Sequence, residues 1–322
     1  MRTISPQPSS NAAVLSEQTQ AHGAGQSAAG RSPAAPGSAG AAKDKDRGAA
    51  ESRALQGGMV TAQNLYVTFN RGTPIENPVL RGLSLSIDKG EFVTVIGSNG
   101  AGKSTFLNAL TGEQRVDFGK IVIDGQDVTR MPTHKRSPFI ARVFQDPMAG
   151  TCESLSIEQN LALAFRRDRK VGFKLSLNKE IRDVFRSKLA ALNLGLENRL
   201  TDSMGLLSGG QRQAVSLLMA SLRPSKILLL DEHTAALDPK TASFVLKLTN
   251  EIVTSANLTA MMVTHSMKDA LEYGSRTVML HRGRVILDVK GERRKKMTVI
   301  DLLEMFEKTR GKKLDDDSLL LG

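Results

Sequence analysis

The stretch GSNGAGKST, Gly97 to Thr105, decides how the rest of this sequence is interpreted. It matches the pattern G-x-x-x-x-G-K-[S/T] and overlaps the end of a near-continuous apolar run, FVTVIG (Phe92–Gly97), which predicts a buried strand. A helix is predicted from Lys103 to about Leu110. Glycines let the backbone curl until several N–H groups face one anion, and the helix dipole favours the same charge. The stretch therefore predicts a phosphate-binding loop.

The side chains of this loop predict how a nucleotide and its metal are held. Lys103 is expected to reach the β- and γ-phosphates, and the Ser104 hydroxyl is expected to bind Mg²⁺. The alternative is a glycine-rich turn that merely precedes a helix, and the strand-to-helix context argues against it. We assign the whole loop to nucleotide binding: Gly97, Ser98, Asn99, Gly100, Ala101, Gly102, Lys103, Ser104 and Thr105.

Two acidic residues follow a second apolar run, KILLLD (Lys226–Asp231). Asp231, at the carboxyl end of the predicted strand, is suited to hold Mg²⁺ through its water shell. Glu232 points elsewhere and is suited to orient or deprotonate an attacking water. A strand that simply ends in polar residues is the alternative, and the phosphate loop earlier in the chain weakens it.

Three further residues are ambiguous by themselves. His265 ends the apolar run AMMVTH, and an isolated histidine there is more often structural; at the carboxyl edge of a parallel sheet, however, ligands bind. Gln145 follows the run RVF as a polar loop residue, and Phe69 is compatible with ordinary strand packing.

The organisation of the chain predicts one α/β domain with additions. Residues 1–57 are dominated by Ala, Gly, Ser, Pro and Gln, and we expect a disordered low-complexity extension. Residues 58–310 form the predicted domain, with an antiparallel β subdomain at its N-terminal side, where NLYVTF and LSLSI alternate. A helical subdomain is inserted at about residues 146–215, and residues 311–322 form a C-terminal tail.

Local signals place several other elements. Ser156 and Gln159 form a capping box for a helix carrying Leu161, Leu163 and Phe165. Asn178 is predicted to cap a second helix. IVIDG and VTR are predicted as short sheet elements, TVML and RVILDV as the closing strands, and VIDLLEMF as a terminal helix. One face of the second helix is predicted to hold Ile181, Val184, Phe185, Leu189 and Leu192.

Composition limits the function classes. The 322 residues are 40% hydrophobic and contain one cysteine, Cys152, which excludes a disulfide framework and a Cys-based zinc site. No apolar run approaches the roughly 20 residues that span a bilayer. The net charge of +11 suits nucleotide phosphates, nucleic acid or an anionic membrane surface, and does not choose among them.

Taken in order, these motifs resemble a known family. The phosphate loop, Gln145, SGGQ (Ser208–Gln211), Asp231-Glu232, AALDP and His265 resemble the nucleotide-binding subunit of an ATP-binding-cassette (ABC) transporter across residues 60–310. The resemblance implies a P-loop NTPase (ABC ATPase) core, ATP and Mg²⁺ as cofactors, and ATP hydrolysis coupled to transmembrane transport.

The resemblance also assigns roles to individual residues. Phe69 would stack on adenine. Gln145 would approach both Mg²⁺ and the attacking water. Glu232 would be the general base, and His265 would contact the γ-phosphate. Asp238 would lie in the loop that crosses to a second subunit.

The stretch LSGGQRQ (Leu207–Gln213) acquires a role only through the resemblance. By itself it is a helix start with free backbone N–H groups, which suits an anion. The family pairs two cassettes head to tail, so the anion would be the γ-phosphate of ATP held on the opposite cassette. ATP binding would close this dimer, expected to be a homodimer, and hydrolysis would open it. Ser208 and Gly210 would meet this phosphate, and the resemblance assigns the whole stretch to nucleotide binding: Ser208, Gly209, Gly210 and Gln211.

The implied partners are a separate transmembrane permease and a solute-binding protein, at the cytoplasmic face of a bacterial inner membrane, with no nucleic acid. VFQDPMAGTCESLSIEQNLAL and the DLLEMF tail resemble cassettes of importers for amino acids or similar small solutes. One departure is His233, which stands where most cassettes have proline. Two alternatives remain: an exporter cassette, and a non-transport ABC-superfamily ATPase acting on nucleic acid or ribosomes.

Overall fold

An antiparallel sheet and a mainly parallel sheet share one hydrophobic core with the phosphate-loop helix. The computed structural model describes residues 57–167 and 177–310 of the chain. The expected disordered extension, apart from Gly57, and the expected tail at residues 311–322 lie outside these residues. Within the described ranges, every helix is too short or too polar to span a bilayer.

The first sheet is antiparallel and has four strands in the order β2-β1-β4-β5. Its alternating pattern is the predicted one: Leu65 and Val67 are buried, whereas Tyr66 between them is exposed. Its strands are β1 (Val60–Phe69), β2 (Asn77–Ile87), β4 (Phe118–Ile123) and β5 (Gln126–Asp127).

The second sheet has six strands in the order β10-β9-β3-β8-β7-β6, parallel except for β10. Every residue of β3, β7 and β8 is buried, as the continuous apolar runs predict. The strands are β3 (Phe92–Ile96), β6 (Ile140–Val143), β7 (Ile227–Asp231), β8 (Ala260–Val263), β9 (Arg276–His281) and β10 (Arg284–Lys290).

Helices connect these strands and form the inserted subdomain. In chain order they are α1 (Lys103–Thr111), α2 (Thr133–Arg136), α3 (Ile157–Phe165), α4 (Lys179–Ala190), α5 (Gly209–Ser221), α6 (Pro239–Ser255), α7 (Met267–Glu272), α8 (Gly291–Lys295) and α9 (Val299–Arg310). Short 3₁₀ turns occupy Leu196–Asn198 and Met204–Leu206.

Strand β7 illustrates how the second sheet divides the core. Ile227 and Leu229 face a core shared with α1 and the antiparallel sheet. Leu228 and Leu230 face the opposite core, which contains α3 to α6. Because side chains alternate along the strand, β7 contributes to the hydrophobic cores on both faces of the second sheet. The predicted fold class, an α/β core with an antiparallel sheet and inserted helices, is confirmed.

Two local predictions were wrong. Val184, predicted on the apolar face of α4, is exposed, because that face is narrower than the sequence pattern suggests. VTR (Val128–Arg130) is not a strand, since β5 ends at Asp127 and its carboxylate accepts hydrogen bonds from the amide and hydroxyl of Thr129. Such a local Asx turn competes with sheet pairing. Both predicted caps are confirmed, the Ser156–Gln159 box and the Asn178 cap.

Candidate functional site

The phosphate loop folds between β3 and α1, as its sequence predicts. Gly102, at the N-terminus of α1, has a φ of 101°, a conformation that residues with a Cβ rarely adopt. A Cβ at this position would lie 2.9 Å from Leu80 Cδ2. The loop therefore depends on glycine both for its curvature and for its contact with β2, and its backbone forms a cradle suited to phosphate.

Lys103 is buried beneath this loop, with 6% of its surface exposed. Its Nζ donates hydrogen bonds to the carbonyl oxygens of Gly97, at 2.7 Å, and Ser98, at 3.4 Å. Burial lowers the pKa of Lys103 below its ordinary value, although the nearby carboxylates of Glu232 and Asp231 oppose that shift. A cation is thus held at the base of the phosphate cradle.

A cleft of about 710 Å³ opens in front of the loop, within the range of small-molecule sites. Phe69, at the end of β1, is 38% exposed and lies on the wall formed by the antiparallel sheet. The structure therefore brings the predicted adenine-stacking residue into the same cleft as the loop. The lining residues are Phe69, Asn77, Pro78, Val79, Arg81, Asn99, Gly100, Ala101, Gly102, Lys103, Ser104, Thr105, Glu232, His265 and Arg282.

Glu232 and His265 meet at the edge of the cleft because β7 and β8 are adjacent and parallel. His265 Nε2 lies 2.6 Å from Glu232 Oε2, and Lys103 Nζ lies 3.9 Å from Oε1. Burial alone would raise the pKa of Glu232, but the hydrogen bond and charge of His265 and the charge of Lys103 outweigh it and lower the pKa. The carboxylate is therefore held ionised where little water solvates it.

Asp231 and Ser104 supply oxygen atoms of the kind that Mg²⁺ prefers. Asp231 is the last residue of β7, and Ser104 is exposed in the first turn of α1. A carboxylate, a hydroxyl and nucleotide phosphates form a donor set that fits Mg²⁺. One oxygen of Asp231, Oδ2, also accepts a 2.6 Å hydrogen bond from Arg142.

His233, the departure from the family pattern, is buried and neutral. Its Nε2 lies 2.9 Å from Thr249 Oγ1, which in turn lies 2.8 Å from the carbonyl oxygen of Val245. Since the single hydroxyl proton of Thr249 is donated to Val245, Nε2 of His233 must carry the donating hydrogen. Burial lowers the pKa of His233 to about 4. The residue ties the backbone after Glu232, whose φ is 46°, to α6.

The stretch Ser208–Gln211 begins α5 with a complete capping box. The Ser208 hydroxyl accepts a hydrogen bond from the Gln211 amide at 3.3 Å, and the Gln211 side chain accepts one from the Ser208 amide at 3.2 Å. A Cβ at Gly210 would overlap the Thr241 methyl group, Cγ2. The glycine is therefore required within its own chain, where α5 approaches the start of α6.

Several predicted residues are not among the described residues that line the cleft. Gly97, Ser98 and Asp231 precede lining residues in the chain, whereas Gln145 and Ser208–Gln211 belong to other segments. Gln145 is exposed after β6, and the preceding carbonyl, of Phe144, accepts a 3.0 Å hydrogen bond from Gln213 in α5. Asp238 caps α6 through the Thr241 amide, at 3.1 Å.

The sequence pattern missed one residue that shapes the site, Gly283, in the turn between β9 and β10. Its amide donates to the carbonyl of Ala101 at 2.9 Å, and its own carbonyl accepts from the Arg81 amide at 3.1 Å. A Cβ here would overlap the carbonyl oxygen of Val79. The pair Arg282-Gly283 between two strand patterns predicts a hairpin turn. It does not predict that this turn contacts the phosphate loop.

Known proteins share this arrangement of sequence and fold. A family model described as ABC transporter matches residues 80–235, which include the loop and Glu232. The tyrosine transport ATP-binding protein of Clostridioides difficile (strain R20291) is 44% identical over 77% of this chain and 99% of that protein. The thiamine import ATP-binding protein ThiQ of Escherichia coli (strain K12) is 35% identical over 63% and 82%.

A solved structure agrees with the sequence matches. It is a dimeric ATP-binding cassette in a post-hydrolysis state, bound to ADP and Pi, with 28% sequence identity and a TM-score of 0.62. The superposition covers 72% of this chain and 98% of that one.

Proposed function

We propose that this chain, which belongs to the ABC transporter family of ATP-binding proteins, energises a bacterial importer of an amino acid or a similar small solute. Proteins of this family hydrolyse ATP to power transport. The observation that carries the proposal is the convergence of the phosphate loop, Glu232 and His265 on one cleft. The solute class is supported by similarity to a tyrosine transport protein, which the match covers along nearly the whole length of that protein. Import is supported by similarity to a thiamine import protein.

ATP binding begins with the phosphate loop. The backbone amides of the loop and the dipole of α1 attract the phosphates, and the Lys103 ammonium exchanges its carbonyl partners for phosphate oxygens. Phe69 stacks on adenine from the opposite wall of the cleft. The cleft is thus divided into a base end on the antiparallel sheet and a phosphate end on the parallel sheet.

Ser104, Asp231 and Gln145 would hold Mg²⁺, which neutralises charge that develops on the phosphates. Their oxygens come from three elements: the first turn of α1, the end of β7 and the segment after β6. Because Gln145 lies outside the cleft lining, its approach requires the segment after Phe144 to move. The Phe144 carbonyl, which accepts a hydrogen bond from Gln213, links the start of that segment to the helical subdomain.

Hydrolysis depends on Glu232 as a base. The ionised carboxylate accepts a proton from the attacking water, whose oxygen forms a bond to the γ-phosphorus as the bond to the β-phosphate oxygen breaks. His265 orients the carboxylate and donates to a γ-phosphate oxygen. Positioning and charge stabilisation supply most of the rate enhancement in such transfers.

The second half of each site comes from a second copy of the chain. Ser208, Gly210 and the free amides at the start of α5 approach the γ-phosphate bound by the opposite phosphate loop. ATP binding therefore closes the homodimer, and hydrolysis opens it. This movement drives a separate transmembrane permease, served by a solute-binding protein, at the cytoplasmic face of the inner membrane.

Affinity purification from detergent-solubilised membranes of the native host tests the proposal. We expect the tagged chain to retain a permease with several membrane spans, and the purified complex to hydrolyse ATP. The Glu232→Gln chain serves as the matched control, since it should retain the permease without hydrolysing ATP. Recovery of ribosomes or nucleic acid in place of a permease would contradict the proposal. A thermal-shift screen of the accompanying solute-binding protein against amino acids tests the solute class.

A further inference from the structure

We infer that Arg142 is a positioning residue for Asp231, holding one carboxylate oxygen so that the other is presented to Mg²⁺·ATP. This inference rests on the proposed function of Asp231 as a metal-binding residue. It concerns a residue that neither the phosphate-loop pattern nor the comparisons single out.

Arg142 contacts two carboxylates, one amide oxygen and one aromatic ring. Its Nη2 donates to Asp231 Oδ2 at 2.6 Å. Its Nη1 donates to Glu113 Oε2 at 2.8 Å and to Asn108 Oδ1 at 3.0 Å. The Cζ atom lies 4.7 Å from the centre of the Phe144 ring. Guanidinium and carboxylate are both largely buried, with 11% and 13% of their side chains exposed.

The strand register explains why the arginine reaches this carboxylate. Strands β6 and β7 are parallel, and Arg142 is paired with Leu229, two residues before Asp231. Asn108 belongs to α1, and Glu113 follows that helix. Arg142 therefore connects the helix that begins with Lys103 to the strand that ends with Asp231.

The chemistry of the contact restricts the carboxylate. A guanidinium is planar and always charged, so a short bond to Oδ2 fixes the rotation of the carboxyl group and leaves Oδ1 available. A lysine at this position would supply the charge without the fixed directions. Because Glu113 shares the guanidinium, the arginine is itself held in place, and the carboxylate is oriented before nucleotide binds.

A purely structural role explains the arrangement less well. Arg142 Nε is buried and has no hydrogen-bond partner among the described residues. An unsatisfied buried donor costs stability, and an apolar side chain would avoid that cost. Outer contacts that orient a metal-binding group typically change metal affinity about 10–100-fold when removed.

The test measures metal-dependent nucleotide binding rather than turnover. A fluorescent ATP analogue is titrated into the full chain in Mg²⁺ and again in EDTA, and the ratio of the two Kd values gives the gain due to the metal. For Arg142→Met we expect that gain to fall about tenfold or more, with binding in EDTA within about twofold of wild type. Arg142→Lys should recover part of the gain.

Glu113→Gln is the matched control, because it removes the charge of the ion pair while its amide oxygen can still accept the hydrogen bond from Arg142, and the Asp231 contact is left intact. We expect it to keep the wild-type gain within about twofold. An Arg142→Met chain that is folded by its melting curve and shows an unchanged or larger gain would overturn the inference. If that chain does not fold, an unchanged gain in Arg142→Lys would overturn it instead. A wild-type chain with no gain from Mg²⁺ would contradict the proposed function itself.

Discussion

His265 Nε2 lies 2.6 Å from Glu232 Oε2, and this contact joins the carboxyl ends of two adjacent strands. It holds a carboxylate in the cleft that the phosphate loop also lines. The pairing makes Glu232 and His265 a unit, in which the histidine orients the group that would accept the proton of water.

Glu232→Gln should bind ATP with near wild-type affinity and hydrolyse it about 100-fold to 10,000-fold more slowly, because the amide cannot accept a proton. We expect an ATP-bound dimer to accumulate, visible by size-exclusion chromatography with light scattering. Unchanged turnover would remove Glu232 from the role of base.

Lys103→Ala should weaken ATP binding, because it deletes the cation at the base of the phosphate cradle. The loss of a charge-assisted hydrogen bond of about 1.5–3 kcal/mol corresponds to roughly a 10- to 150-fold increase in Kd. Isothermal titration calorimetry of the full chain measures it. An affinity equal to wild type would contradict the phosphate-loop assignment.

Ser208→Arg should abolish hydrolysis while the isolated chain still binds ATP, because it obstructs the site contributed to the partner. Mixing this variant with Lys103→Ala is the decisive experiment. In a head-to-tail dimer the mixed pair contains one intact site, so random pairing should restore about a quarter of wild-type turnover. If Ser208 served only its own chain's site, mixing would restore nothing.

Gly210→Ala should destabilise the chain by about 1–3 kcal/mol, since the new Cβ overlaps the Thr241 methyl group. Thr241→Ser removes that methyl group and should rescue the loss in the double variant. Urea unfolding of the single and double variants measures this coupling. Additive effects would show that the close approach is not what requires glycine.

His233 should make stability depend on pH. Its pKa is lowered to about 4 in the folded chain, against an ordinary value of 6.5, so the unfolded chain binds more protons between these values. The contribution of neutral His233 to the free energy of unfolding is therefore fully present above about pH 6.5. It should decrease by up to about 3 kcal/mol as the pH drops to 4.

His233→Gln is the matched variant for this pH effect, because glutamine can donate to Thr249 without titrating. Chemical unfolding at pH 7 and pH 4.5 should show a smaller loss for this variant than for wild type. Equal losses would indicate that other groups cause the acid sensitivity.

The sequence predicted those parts of the structure that are formed by residues close to one another in the chain. The phosphate loop, the capping box of Ser156 and the helix start at Ser208 depend on residues within a few positions of one another. Backbone geometry over such short spans leaves few alternatives. Buried strands were also predictable, because a continuous apolar run indicates a buried strand even when the neighbouring strands are unknown.

Contacts that depend on tertiary packing were not predictable in the same way. Arg142 and Asp231 are 89 positions apart and meet only through the register of β6 on β7. The exposure of Val184 depends on how much of α4 its neighbours cover. The hydrogen bond of His233 to Thr249 required the position of α6, so the sequence identified the residue as unusual without indicating its role.

The turn at Gly283 has a consequence for which ligands the protein accepts. Phe69 and the phosphate loop belong to different sheets, so neither sheet alone sets the distance between the base end and the phosphate end of the cleft. The Gly283 amide and carbonyl, bonded to Ala101 and Arg81, hold the two sheets at that separation. The length of a nucleotide that could reach from Phe69 to the phosphate loop would therefore depend in part on this junction, although Gly283 itself is not among the described residues that line the cleft.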